Sequence, residues 1–192
     1  MMRLLILLAF AGIFTSAPLD PYLDADMSRQ MLFQIPGLLA LGALMAWRTT
    51  GLVSQPNAFG LLILSLGLIF FWMVPRSLDL AVAYHFWDLP MHASLLLAGF
   101  GLRYSLSRLN LIFGIAAGIY GAAMWSAYAL ILAQSPAQIC ARFTLEQQQQ
   151  AGTDMLWAGG FFLILHLVTS ISLLVRSERA INNPPHHPEP TG

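Results

Sequence analysis

The sequence predicts an all-α fold, a polytopic transmembrane helical bundle with five to six spanning helices. Of the 192 residues, 57% are hydrophobic and only 9% are charged, whereas a soluble domain carries about 25% charged residues. Several stretches also approach the roughly 20 apolar residues that a helix needs to cross a bilayer. Such a chain has too few charges to cover its core with polar surface, so we expect the lipid bilayer to surround most of it.

The first element, residues 1–17, is interpreted as a signal peptide or a first transmembrane helix. Arg3 precedes an apolar run from Leu4 to Phe14, and the small residues of 15–17 follow it. A basic start, an apolar core and a small-residue exit are typical of a cleavable signal peptide. A short first spanning helix fits equally well, and both alternatives place Asp20 on the outer side of the membrane.

Five further segments are predicted to span the membrane, at residues 31–47, 57–75, 89–105, 109–133 and 155–175. If residue 3 is inside, six of the nine arginines lie on the inner side and three on the outer side. By the positive-inside rule this predicts a multi-pass protein of the bacterial inner (plasma) membrane with a cytoplasmic C-terminus. The transmembrane helical domain is then 18–176, and the Pro-rich residues 177–192 form a disordered cytoplasmic tail.

Composition and motifs exclude several classes of function. The net charge is zero, so the chain has no basic field for nucleic acid, and the lone Cys140 excludes an intrachain disulfide or a multi-cysteine metal cluster. The sequence contains no Gly-rich phosphate loop, serine nucleophile elbow or paired-histidine zinc motif. We therefore predict a protein that is not an enzyme and has no catalytic residue.

Two local patterns are predicted to be structural. Gly114, Gly118 and Ala122 place small residues on one helix face, which favours ordinary close packing of helices in lipid. The run Gln147–Gln150 is a short low-complexity piece in the last outer loop.

A third pattern lies at the end of the 57–75 segment. Pro75 should stop or kink that helix. Arg76 and Asp79, three residues apart, should form an ion pair on a short following helix.

Soft metal ligands recur where the predicted helices reach the outer surface. Met27 and Met31 are four residues apart and share a helix face. Thioether sulfur favours Cu(I), and imidazole is a general copper ligand. Each residue could instead be ordinary packing, a solvated side chain or a partner of a neighbouring helix. The candidate metal ligands are His92, Met31, Met27, Met91, Met73 and His85.

His166 lies near the middle of the last predicted span. A histidine at this depth can act as a proton relay, a metal ligand or a hydrogen-bonding link between helices. The link is the commonest of the three. We find no acidic residue at the same depth in another segment, which weakens the proton-relay interpretation.

Three separated segments carry a resemblance to a known family. The first runs from Met27 to Leu32 and on to Gln34-Ile35-Pro36. The second is Phe71-Trp72-Met73-Val74-Pro75, then Leu78 to Val82, and later His92 ahead of an apolar stretch ending near Gly99. The third is Gln148-Gln149-Gln150-Ala151-Gly152, then Met155-Leu156-Trp157 and Gly159-Gly160.

In this order the segments resemble the CtaG-type cytochrome c oxidase assembly factors, which are membrane proteins linked to copper insertion. The resemblance implies an assembly factor that assists copper delivery, with a cytochrome oxidase subunit or a periplasmic copper chaperone as partner. Gln30 and Met73 stand where the family has histidine, and His92 alone matches a family histidine. The resemblance therefore implies either a Met-rich Cu(I) site or a divergent member that has lost copper. A small accessory subunit of a membrane complex is the alternative function.

Overall fold

The computed structural model describes residue 12 and residues 19–46 and 55–182. The side chains of residues 20, 55, 56, 85, 177 and 179–182 lie outside that description. Within the described residues every regular element is a helix, which confirms the predicted all-α class. The predicted signal peptide or first helix at 1–17 falls outside them apart from residue 12.

The helices follow one another with short connections. They are α1 (Leu19–Asp24), α2 (Met27–Arg29), a π-helical segment (Gln30–Gln34), α3 (Ile35–Met45), α4 (Gln55–Met73), α5 (Pro75–Ala83), α6 (His85–Leu106), α7 (Leu111–Gln134) and α8 (Leu145–Asn182).

The number of spans that the described residues support is smaller than predicted. Two stretches are long and apolar enough to cross a membrane by themselves, Leu111–Gln134 and Leu145–Arg176. A third span results if the bent pair α4–α5 counts as one. The π-helical segment leaves α3 with 11 residues, and α6 carries Asp88, His92 and Arg103. The expected five to six spans are therefore not supported by helix length and composition.

The chain turns sharply between α4 and α5. The two helices meet at 72°. Val74 is extended, with φ −71° and ψ 125°, and Pro75 is in the first turn of α5. A proline disfavours the helical conformation of the residue before it and supplies no N–H itself, so the predicted break at Pro75 is confirmed.

The π-helical segment precedes a second proline. The N–H of Ile35 bonds to the carbonyl of Gln30, five residues back. Pro36 has no N–H for the carbonyl of Leu32, and its ring would crowd that carbonyl in a regular α-helix. One widened turn relieves this conflict. Such widened turns are rare in proteins, and those that do occur are often found at functional sites.

Helix α6 packs between α3 and α4. The amide of Gln34 meets the His92 ring near the start of α6, while Gly42 lies against the backbone of Leu96 and Phe100 further along. Helices α3 and α6 therefore run in the same direction. The Trp72–Ser94 hydrogen bond and the contact of Ser65 with Gly101 show that α4 runs in the opposite direction to α6.

Helices α7 and α8 form an antiparallel hairpin, which is the most extensive helix pair among the described elements. The indole of Trp125 donates to the carbonyl of Met155 at 3.0 Å. At the same end the hairpin packs against α2 and the π-helical segment, and Ser28 donates to Asp154 at 2.8 Å. We call this end of the bundle the rim, comprising residues 19–34, 71–94 and 132–157.

The last helix is longer than predicted. α8 continues to Asn182, so the first six residues of the predicted tail at 177–192 are helical. Residues 183–192 lie outside the described part of the chain.

Gly99→Ala is expected to destabilise the bundle by about 1–3 kcal/mol, the usual cost of overpacking a close contact. A Cβ at Gly99 would overlap the carbonyl oxygen of Leu39, so α3 and α6 would have to separate. Thermal unfolding of the detergent-solubilised protein, followed by circular dichroism, measures the effect.

Gly67→Ala is the matched control, since a Cβ there meets no atom within 4 Å. It should unfold at or slightly above the wild-type temperature because alanine favours helix. Equal unfolding temperatures for the two variants would contradict the close contact.

Candidate metal centre

Five methionines from four parts of the chain belong to one buried hydrophobic cluster of 16 residues, most of it at the rim. Of the seven methionines within the described ranges, only Met45 and Met124 lie elsewhere. Thioethers are soft and polarisable, so they pack like hydrocarbon and also bind soft cations. The five are Met27, Met31, Met73, Met91 and Met155.

Local structure explains why these side chains face inward. Asp26 caps α2 by accepting a hydrogen bond from the N–H of Arg29 at 3.2 Å, which fixes the start of the helix that carries Met27. The widened turn then places Gln30, Met31 and Gln34 together on the buried face. The indole of Trp72 donates to Ser94 at 2.7 Å and so ties the end of α4 to the start of α6.

His92 borders this cluster and is 1% exposed. Its Nδ1 lies 2.9 Å from both the backbone carbonyl and the carboxylate of Asp88. Both are acceptors, so Nδ1 carries the proton. On the other side of the ring, Nε2 lies 3.1 Å from the amide nitrogen of Gln34, which can only donate. Nε2 therefore presents a lone pair, the form in which imidazole binds a metal.

The backbone carbonyl of Asp88 holds the ring in this orientation, and the carboxylate lies 2.9 Å from the same nitrogen. A carbonyl or carboxylate on the far nitrogen of a metal-binding histidine fixes its tautomer and increases its basicity. Asp88 is itself buried, one turn before His92 on α6. The sequence analysis did not assign this role to Asp88, although residues four apart share a helix face and the pair could have been predicted from that spacing.

Gln30 adds a hard donor beside the soft ones. Its side chain is fully buried, and its Nε2 donates to Asp24 at 3.3 Å. Its Oε1 has no hydrogen-bond partner among the described residues. Since most buried polar atoms are paired, a buried amide oxygen of this kind can accept a water or an ion.

The predicted ligands have different outcomes. Met27, Met31, Met73, Met91 and His92 are all buried at the rim. Met155 joins them although it was not predicted, and its place two residues before Trp157 in the third family-like segment was the available signal. His85 is the first residue of α6 rather than part of a loop, and its side chain lies outside the described residues.

The ten residues 135–144, which we call the strap, connect α7 to α8 across the rim. Cys140 and Phe143 of the strap are buried in the same cluster as the methionines. Burial raises the pKa of the Cys140 thiol to about 12, and the negative charge of Asp79 adds to the increase. The thiol stays protonated at neutral pH, so in this conformation Cys140 is not a thiolate ligand.

The glutamine run is not a loop. Thr144 and Gln147 form a reciprocal capping box at the start of α8, with bonds of 3.1 and 3.2 Å. Gln148 accepts from the N–H groups of Ile139 and Cys140. Gln149 donates to the carbonyl of Ser135. These side chains hold the strap, and the Thr-x-x-Gln spacing could have predicted the helix start.

Asp79 serves the strap as well. Its two carboxylate oxygens accept from the N–H groups of Ala141 and Arg142 at 2.8 and 3.2 Å. The ion pair predicted between Arg76 and Asp79 is thus replaced by a carboxylate that caps the strap's backbone. Two amides in fixed positions are a better match for both oxygens than one exposed arginine side chain.

His166 lies far from this cluster, between α7 and α8. Its ring packs directly on Gly118, where a Cβ would overlap it, and its Nε2 is 3.4 Å from the carbonyl of Ile115. The small residue at 118 therefore makes room for an imidazole. Of the three alternatives for His166, this placement matches the hydrogen-bonding link between helices.

The described residues contain no group of three or more His, Cys, Asp and Glu side chains that could hold a metal. A site at the rim would instead combine thioether sulfur with a single imidazole. Such a set suits Cu(I) and disfavours zinc and other harder divalent ions. No family model matches the chain, and no curated protein or solved structure is detectably similar to it.

The geometry predicts that His92 carries its proton on Nδ1 at neutral pH. Nitrogen NMR of protein labelled at histidine should show one protonated Nδ1 and one unprotonated Nε2 for this ring. Gln34→Leu removes the donor that faces Nε2, so only the Nε2 resonance should shift strongly.

Asn110→Ala is the matched control, because Asn110 caps α7 and leaves the Gln34–His92 bond unchanged. A protonated Nε2 in the wild type would refute the assignment.

Proposed function

We propose that this chain is a membrane-embedded assembly factor that holds Cu(I) transiently at its rim and assists copper delivery to a haem–copper cytochrome oxidase. The single observation that carries the proposal is the buried cluster of five methionines beside His92. The resemblance of the three rim segments to the CtaG-type family supplies the oxidase as the destination.

The donor set suits a cargo better than a permanent cofactor. Neutral thioethers bind Cu(I) without releasing protons and contribute no charge of their own. The Nε2 lone pair of His92 is already oriented by the bond from Nδ1 to the Asp88 carbonyl, and a metal that binds there would displace the Gln34 amide. Copper bound by few neutral ligands can be passed on to a site with more thiolates or imidazoles.

The membrane arrangement is part of the proposal. The α3–α6–α4 packing and the α7–α8 hairpin alternate in direction along the chain. This alternation supports the proposal that each of the five long helical stretches from Met27 onward crosses the membrane. This extends the supported two or three spans to five, or six with residues 1–17. The sequence count of six arginines expected opposite the rim against three on it supports a periplasmic rim and a cytoplasmic C-terminus, in a bacterial inner membrane.

A periplasmic rim indicates which partners the protein could meet. The rim would accept copper from a periplasmic copper chaperone or pass it to an oxidase subunit, and the lipid bilayer surrounds the rest. The chain takes no catalytic role in this proposal, since delivery requires only binding and release.

A small accessory subunit without a metal is the second candidate. One observation favours it: the outward face of α8 is strongly apolar and exposed, with Trp157 79% exposed. Such a face packs against lipid or against the helices of a larger complex. Purification from membranes at equal stoichiometry with a respiratory complex would support this candidate over transient assistance.

The purified chain is expected to bind about one Cu(I) with its soft donors. His92→Ala combined with Met31→Ala should abolish binding. Met31→Leu combined with Met155→Leu removes two thioethers at nearly constant volume, so it should weaken binding without unfolding the protein. Competition against a chromophoric Cu(I) chelator measures both effects.

Met45→Leu combined with Met124→Leu is the matched control, because both residues lie outside the cluster. Its Cu(I) affinity should equal that of the wild type. An unchanged affinity in the His92→Ala, Met31→Ala variant would remove the rim cluster from the proposal.

A further inference from the structure

The strap covers the rim end of the methionine cluster. Four of its ten residues are shielded from solvent: Ser135 and Ile139 are half-buried, and Cys140 and Phe143 are buried in the same cluster as the methionines. Most of the remaining strap is exposed. The strap is therefore a thin cover that inserts two apolar side chains and leaves its backbone near water.

Polar side chains fasten the strap from three directions. Asp79 reaches it from α5, Gln148 and Gln149 from α8, and Gln138 from within the strap itself. Gln138 donates to the carbonyls of Cys140 and Phe143 at 3.0 and 2.8 Å. These bonds are side chain to backbone, and the helices beneath keep their own hydrogen bonds whether or not the strap is fastened.

We propose that the strap is a gate, which opens by releasing the Asp79 and Gln148 fastenings and so controls exchange of Cu(I) with the methionine cluster. This inference rests on the proposed function and adds its regulation. Water can replace each fastening at small net cost. Opening therefore needs no unfolding of the spanning helices and belongs to the low-energy local motions of a folded protein.

Cys140 reports on the gate without any metal. An alkylating reagent has to reach the sulfur atom, and the Cys140 side chain is 0% exposed beneath the closed strap. A closed strap should thus protect Cys140, and alkylation should proceed mainly through the open state. The lone cysteine of the chain makes the measurement specific.

The experiment uses the full chain in detergent, first without metal. Asp79→Ala removes the acceptor of two strap amides, and maleimide alkylation of Cys140 should become faster by about tenfold or more, because bonds to a charged group are the stronger kind. Gln148→Leu removes the acceptor of two other strap amides, changes no charge and adds no metal ligand, and it should act in the same direction. Glu146→Ala, which removes another rim carboxylate, should leave the rate unchanged.

The second measurement is release of Cu(I) from the loaded protein to a chromophoric chelator. Release should accelerate in both Asp79→Ala and Gln148→Leu. The factor should match that of alkylation in Gln148→Leu, which leaves the Asp79 charge near Cys140 in place. Faster alkylation with unchanged release would overturn the gate while leaving the proposed function intact. Unchanged alkylation in both variants would show that these bonds do not hold the strap, which also overturns it.

A wild-type chain that takes up no Cu(I) from its chelator complex would instead overturn the proposed function and the copper gate together. The alkylation rates are measured without metal, so they would still show whether the Asp79 and Gln148 bonds hold the strap closed.

Discussion

Helices α3 and α6 run parallel and touch backbone to backbone at Gly42 and Gly99, and the geometry of the rim depends on that contact. Small residues let two helix backbones approach closely, and close approach permits polar bonds between the helices. The contact brings the widened turn of the chain beside the start of α6, where the Gln34 amide reaches His92. Two small residues in the helix interiors thus determine which polar groups meet at the rim.

The buried polar groups at the rim depend on one another. His92 is flanked by Asp88 and Gln34, and Gln30 is tied to Asp24. Removing one member would leave another buried without its partner, which costs more than the bond itself contributed. Such a set has to be complete to be stable, and the methionines around it keep water away without offering competing hydrogen bonds.

Part of the fold could be predicted from the sequence, because apolar runs and the position of Pro75 follow simple rules. The all-α class and the break after Met73 were predicted correctly. The number of spans was not supported, since polar residues in α6 and the π-helical turn before α3 interrupt the long apolar helices that the prediction assumed. A widened turn leaves no sequence signature beyond a following proline.

The candidate site, like the fold, could be predicted from the sequence only in part. The soft side chains could be named from their positions at helix ends, yet their shared burial depends on helix pairing that no local pattern encodes. Met155 was missed for this reason. The role of the glutamine run was missed because four identical residues suggested low complexity. Gln147, Gln148 and Gln149 each bond a different backbone group of the strap, whereas Gln150 donates to Asp154.

The packing of His166 on Gly118 has an evolutionary consequence. Because Gly118 carries only a hydrogen in place of a side chain, the imidazole of His166 can occupy the space where a Cβ would lie. A methyl group there would displace the ring, so the two positions cannot drift independently. Any descendant of this chain that acquires alanine at 118 must shrink residue 166 or spread the hairpin, and the order in which those two changes arise is thereby restricted.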